Sequence, residues 1–124
     1  MQYNYLMKKS EQEFIKYSMI LPRKLSVKVS RAEEGGYWAE IKEMPGCYTQ
    51  ADNFYDLIEM INDAIFTYCD VPKNIRKSLG QYIPEVSEDA QKLALHQKME
   101  DIVNDILKQN KSLPLRRYGV SQIG

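Results

Sequence analysis

The sequence predicts an α+β fold, a three- to four-stranded antiparallel sheet with a helix packed on one face. From residue 24 to 31, Leu25, Val27 and Val29 alternate with polar residues, which is typical of a half-buried strand. Gly35-Gly36 then supplies a turn, and a second alternating run follows from 37 to 41, so the two runs form a hairpin. From 54 to 68 the apolar residues recur at steps of three and four, which indicates an amphipathic helix that covers the sheet.

Turn and cap residues set the limits of the next elements. Pro45-Gly46 predicts a turn before a short third strand over 47–50. Asn53 is a good N-cap for the amphipathic helix, with Asp56 three residues later. Pro72 ends that helix. A further helical turn over 72–79, closed by Gly80, and a fourth, edge strand over 81–84 follow.

Two extra helices flank this pattern. Ser10 and Glu13 have the spacing of a capping box, which predicts an N-terminal helix over 10–20. A last helix runs from Ser87 to about Gln109, and residues 110–124 have no period of their own, which indicates a mobile or partner-ordered tail. We therefore expect an α+β domain over 1–86, with the N-terminal helix as an extension, and a C-terminal helix with a tail over 87–124.

Composition and length exclude several classes of protein. The 124 residues are 44% apolar and 27% charged, which fits a single globular domain. No stretch reaches the roughly 18–20 consecutive apolar residues of a membrane span, and the N-terminus lacks the pattern of a signal peptide. Cys47 and Cys69 do not suggest a disulfide scaffold. We expect a cytoplasmic protein with reduced thiols.

The net charge of zero conceals an acidic middle. Residues 37–72 contain 1 basic and 7 acidic residues, whereas residues 1–36 contain 7 and 4, and residues 73–124 contain 9 and 6. On the predicted helix, Asp56, Glu59 and Asp63 fall together on the face away from the sheet. This acidic ridge is either a solvated helix face or a surface for a cationic partner.

Residues 24 to 70 contain an ordered set of motifs: an acidic-Gly-Tyr turn, a "Y-x-A" strand, a "P-G-C" turn and a helix of the "EAL-x-N-x-x-EAI" kind. The residues that carry them are Glu34, Gly35, Gly36, Tyr37, Ala39, Pro45, Gly46, Cys47, Leu57, Asn62, Ala64 and Ile65. In this order the motifs resemble the HicB family of antitoxins. The resemblance implies a partial ribonuclease-H-like fold that is used as a binding scaffold.

The resemblance also implies a function. HicB-like proteins neutralise a small basic HicA ribonuclease toxin by covering its active site, and many bind their own operator through an added DNA-binding segment. We therefore expect an antitoxin-like protein-interaction module, with Asp56, Glu59 and Asp63 as the toxin-binding ridge. Alternatives are a nucleic-acid-binding regulator that uses the C-terminal helix and tail, an orphan family member without a toxin, and a degenerate nuclease.

The last predicted helix indicates self-association. Its narrow apolar stripe comprises Leu95, Met99, Ile102 and Ile106. Such a stripe is typical of a two-helix seam, so we expect it to be the oligomer contact of a homodimer or higher homo-oligomer. Trp38 is expected either in a core under the N-terminal helix or at an interface, and Phe66, off the main stripe, is expected to be half-exposed or in an oligomer contact.

The sequence does not favour a metal-dependent nuclease or a nucleophilic enzyme. Glu40 and Asp52 are the acids near strand positions that could converge, and two carboxylates are too few for a nuclease metal site. His96 has no partner in a recognisable nucleophile motif, and Cys47 has no neighbouring cation. We expect no enzyme activity, no metal and no cofactor.

Overall fold

The computed structural model describes residues 8–85, 101, 104, 107–108 and 112–119. Its helices are α1 (Lys9–Ile20), α2 (Phe54–Tyr68) and a 3-10 helix (Lys73–Leu79), and its strands are β1 (Lys24–Arg31), β2 (Tyr37–Ile41), β3 (Tyr48–Ala51), β4 (Gln81–Pro84) and β5 (Leu113–Tyr118). The strands form one antiparallel sheet in the order β3-β2-β1-β5-β4. The α+β class is therefore confirmed.

The strand count is corrected to five. β5 lies inside the sheet between β1 and β4, with Leu115 opposite both Leu25 and Pro84. The interpretation of residues 110–124 as a tail is thus wrong for Leu113–Tyr118. The alternation of that segment is obscured because Arg117, a cation, occupies an inward position after the buried Leu113 and Leu115.

The predicted hairpin and fourth strand are confirmed. β1 and β2 pair in the register Val29↔Ala39, and their alternating inner residues are buried. Gly35 and Gly36 have φ of 103° and 80°, which glycine adopts without strain. A Cβ on Gly36 would lie 2.7 Å from the carbonyl oxygen of Ala51, so the turn must approach the end of β3 closely.

The main core lies between the sheet and α2. Leu57, Ile61 and Ile65 of the helix are fully buried against strand residues such as Val27 and Ile41. Asn53 is the N-cap, as predicted, and its side chain accepts from the amide of Asp56. Leu107 is helical, lies within the predicted last helix, and packs half-buried against this core.

A second, smaller core explains a wrong prediction. Phe66 is buried at 4% exposure within this core, whereas the sequence suggested a half-exposed ring or an oligomer contact. α2 ends in a Schellman motif, in which the amide of Val71 donates to the carbonyl of Phe66 at 2.9 Å and the amide of Asp70 donates to that of Thr67. The motif brings Val71 onto Phe66, and Leu21, Ile75 and Leu79 complete the cluster.

α1 packs beside this second core. It contacts the 3-10 helix, and it does not cover Trp38, so the expectation of Trp38 in a core under the N-terminal helix is wrong. The predicted capping box is also wrong, because the helix begins after Lys8 with no side-chain cap hydrogen bond. Trp38 is half-buried and packs against Tyr48, with ring centroids 6.3 Å apart.

Candidate functional site

An open groove lies at the hairpin end of the sheet. The β1–β2 turn forms one wall, the ends of β2 and β3 form the floor, and the first turns of α2 form the other wall. Its lining residues are Arg31, Ala32, Glu33, Glu34, Gly35, Tyr37, Trp38, Gln50, Ala51, Asp52, Asp56, Glu59 and Met60. The close approach of Gly36 to Ala51 brings the turn to the end of β3, and Asn53 then starts α2 beside it.

The groove is strongly acidic. Its five carboxylates, on Glu33, Glu34, Asp52, Asp56 and Glu59, all belong to exposed residues. The basic residue of the lining, Arg31, lies over the ring of Tyr37 at 5.6 Å from its centroid. Like charges at this density favour a cationic ligand or partner and repel an anionic one.

The residues of the predicted acidic ridge have two different environments in the structure. Asp56, Glu59 and Asp63 are all exposed, as predicted, but only the first two line the groove. The carboxylate of Asp63 accepts from a guanidinium nitrogen of Arg76 at 3.1 Å, and Arg76 also donates to the carbonyl of Val71. Asp63 therefore already pairs, outside the groove, with a cation that lies over the Phe66 ring of the second core.

Asp56 is held in a defined position. The Asn53 side chain accepts from the amide of Asp56 at 2.9 Å and donates to its carboxylate at 2.9 Å. This reciprocal pair fixes the carboxylate at the N-terminus of α2, where the helix dipole stabilises negative charge. The groove thus has one oriented carboxylate among several that are exposed to solvent.

Sequence reasoning missed Glu33 and Glu34 as members of the site. Both lie outside the acidic middle of the sequence, residues 37–72, and only Glu34 belongs to the turn motif. The available signal was their position before Gly35-Gly36, because a tight hairpin turn places its residues next to the end of the neighbouring strand. Two further predictions concern residues outside the described part of the chain. They are the oligomer contact, formed by Leu95, Met99, Ile102 and Ile106, and the histidine His96.

The described residues offer little for nucleophilic or metal chemistry. No group of three or more His, Cys, Asp or Glu side chains within the described part of the chain could hold a metal ion. Burial raises the pKa of both the Cys47 and the Cys69 thiol, which keeps them protonated near neutral pH. In the described ranges, no helix has the length and apolar character to cross a membrane.

Comparison with known proteins gives one informative similarity. The chain is 33% identical over 60 residues to a UPF0150 protein of Archaeoglobus fulgidus, a match that spans 48% of this chain and 84% of that protein. No protein-family model matches the chain. No solved structure matches it either.

Proposed function

The chain belongs to the UPF0150 family, and we propose that it is an antitoxin-like binding module that holds and neutralises a small basic ribonuclease toxin of the HicA kind. The observation that carries this proposal is the groove, in which five exposed carboxylates surround one arginine that lies over a tyrosine ring. The resemblance of residues 24–70 to HicB antitoxins supports it from the sequence.

The charge of the groove suits such a partner for a physical reason. A ribonuclease binds a polyanion, so its active-site surface is cationic. An acidic surface competes with RNA for those same cations and speeds the encounter at low ionic strength. Asp56 and Glu59 of the ridge, together with the turn acids Glu33 and Glu34, are the residues that we assign to this contact. Asp63 pairs with Arg76 outside the groove, so we do not assign it to the contact.

A nucleic-acid-binding role for the C-terminal segment is less well supported. Arg117, one of the two adjacent arginines in the C-terminal segment that such a regulator would use, donates to the carbonyls of Leu79 and Ser18. Those bonds hold its guanidinium against the fold. Arg116 remains exposed, but one exposed arginine in a strand is a weak phosphate site.

A neutralisation assay tests the proposal. An active HicA-like ribonuclease cleaves a labelled RNA, and the protein is added at increasing ratios. We expect wild type to suppress cleavage and the double variant Glu33→Gln/Glu59→Gln to require at least about tenfold more protein. The matched control Glu11→Gln/Glu13→Gln removes the same charge from α1 and should behave as wild type. Equal potency of the two variants would contradict the assignment of the groove.

We also propose that the protein has no ribonuclease activity of its own. The assay incubates labelled RNA with protein freed of partners, with and without magnesium or manganese. Metal-dependent cleavage that disappears in Glu40→Gln or Asp52→Asn would overturn the binding-module interpretation, because it would assign the carboxylates to catalysis.

A further inference from the structure

The two edge strands of the sheet, β4 and β3, differ in whether their outward backbone groups already have hydrogen-bond partners. At the β4 edge, the side-chain amide of Asn62 accepts from the backbone amide of Tyr82 at 2.6 Å and donates to its carbonyl at 2.9 Å. Asn62 thereby occupies the place of a neighbouring strand. Pro84, two residues later, has no backbone N–H to offer. The β4 edge is closed to a further strand.

The β3 edge has outward-facing backbone groups. The amide of Ile41 donates to the carbonyl of Cys47 at 3.1 Å, which marks a hydrogen-bonded position of the β2–β3 ladder. Such positions alternate in an antiparallel pair, so Thr49 faces β2, whereas the N–H and C=O groups of Tyr48 and Gln50 point away from it. Among the described residues, none is hydrogen-bonded to these four outward groups.

The surroundings of the β3 edge select the charge of a partner. Gln50 and Asp52 line the acidic groove, which continues to Asp56 and Glu59 on α2. On the outer face of the sheet, the exposed ring of Tyr48 packs against Trp38. An added strand would therefore contact an aromatic surface along β3 and carboxylates at its end. A second copy of this chain would offer residues 47–52 as the added strand, and these contain no lysine or arginine to meet the groove acids, which disfavours self-pairing.

We propose that the β3 edge receives an extended cationic segment of the protein partner as a sixth strand. This inference rests on the proposed function and assigns its binding mode. The outward groups of Tyr48 and Gln50 supply up to four main-chain hydrogen bonds, and lysine or arginine side chains of the added strand reach the groove acids.

Amide exchange with a defined peptide tests the edge directly. The probe is a terminally blocked octapeptide of alternating lysine and valine, added to isotope-labelled wild-type protein. We expect the amides of Tyr48 and Gln50 to exchange about tenfold more slowly at saturating peptide, with no change at Tyr82. The matched peptide of alternating glutamate and valine should protect neither amide. Binding of the lysine peptide without protection of these two amides would overturn the proposal, as would no binding at millimolar peptide.

A backbone variant separates main-chain from side-chain contacts. Gln50→Pro removes an N–H that β2 does not use, so edge position 50 should tolerate it, and Gln50→Ala changes the side chain but keeps the N–H. We expect Gln50→Pro to bind the lysine peptide at least about tenfold more weakly than Gln50→Ala. Equal binding by two folded variants would contradict β3 pairing, and if Gln50→Pro does not fold, the exchange measurement on wild type decides.

Two further outcomes separate failure of the β3-edge proposal from failure of the proposed function. If an inactivated HicA-like ribonuclease binds through the groove acids but leaves the Tyr48 and Gln50 amides unprotected, the proposed function stands and the edge proposal fails. If the peptide protects both amides but the ribonuclease does not bind, the edge is a cationic-strand site and the toxin assignment fails. Concentration-dependent protection without any added partner would assign the edge to a second copy and overturn the proposal.

Discussion

Arg117 donates to the main-chain carbonyl of Ser18, 99 positions earlier in the chain, at 3.1 Å. The same guanidinium donates to the carbonyl of Leu79 at 3.0 Å, so it caps the last turns of both α1 and the 3-10 helix. A residue of β5 thus joins the N-terminal helix to the sheet.

Replacing this arginine should destabilise the fold. Arg117→Met keeps much of the aliphatic volume but leaves two helix-end carbonyls without their charged donor, which we expect to cost about 1.5–3 kcal/mol in the free energy of unfolding. Arg116→Met, at the exposed neighbouring position, should change it by less than about 0.5 kcal/mol. Urea unfolding of both variants measures the difference. Equal midpoints would contradict the role given to Arg117.

Asn62 should be as important for a similar reason, because its side chain satisfies buried backbone groups. Asn62→Leu would leave the N–H and C=O of Tyr82 without partners, and we expect a loss of about 2–5 kcal/mol in the free energy of unfolding. Asn74→Leu, at an exposed position of the 3-10 helix, serves as control and should be nearly neutral. Thermal unfolding checks both. A stable Asn62→Leu protein would show that β4 does not depend on this amide.

Burial makes Tyr82 sensitive to alkaline pH. Burial raises the pKa of its phenol from 10.0 to about 12, against a lowering contribution from nearby Arg117. A raised pKa means that the folded state favours the neutral phenol, so this stabilisation is complete below pH 10 and is lost as the pH rises from 10 to about 12.

The change is measured as the urea midpoint between pH 9 and 11.5. Tyr82→Phe removes the titrating group together with its hydrogen bond to the carbonyl of Pro22. We expect it to be less stable at neutral pH but to lose less stability than wild type at high pH. Tyr55→Phe, at an exposed position, should follow the wild-type curve. Parallel curves for Tyr82→Phe and wild type would contradict the assignment.

Self-association through the last helix stays a prediction. If Leu95, Met99, Ile102 and Ile106 form the seam, Ile102→Asp should yield monomers whose α+β domain remains folded. Gln97→Asp, on the opposite side of the predicted helix, should leave the assembly unchanged. Sedimentation velocity and circular dichroism provide the two readouts. A native protein that sediments as a monomer would refute the seam.

Local patterns predicted the parts of the fold that local physics determines. The alternation of β1 and β2, the Gly35-Gly36 turn and the Asn53 cap each arise from neighbouring residues, and the structure has them where expected. β5 was not predicted because Arg117 faces inward and interrupts the apolar alternation. An arginine is stable at that position because α1 and the 3-10 helix place their carbonyls beside it. Its burial is a tertiary effect that periodicity does not encode.

The candidate site was predicted only in part, because some of its contacts are tertiary and others follow from local spacing. Helical spacing placed Asp56, Glu59 and Asp63 on one exposed face, and it did so correctly. It could not show that Arg76 pairs with Asp63, because that contact depends on the turn after α2. Nor could it bring Glu33 and Glu34 into the groove, since their position depends on how closely the hairpin turn approaches β3.

The central claim is that the acidic groove binds a cationic protein. The most direct measurement is the association rate of an inactivated HicA-like ribonuclease with the protein, followed by stopped flow from low to high salt. We predict that Glu33→Gln/Glu59→Gln slows association at low salt and flattens its salt dependence, whereas Glu11→Gln/Glu13→Gln leaves both unchanged. Identical rates and salt slopes for wild type and the groove variant would contradict the claim.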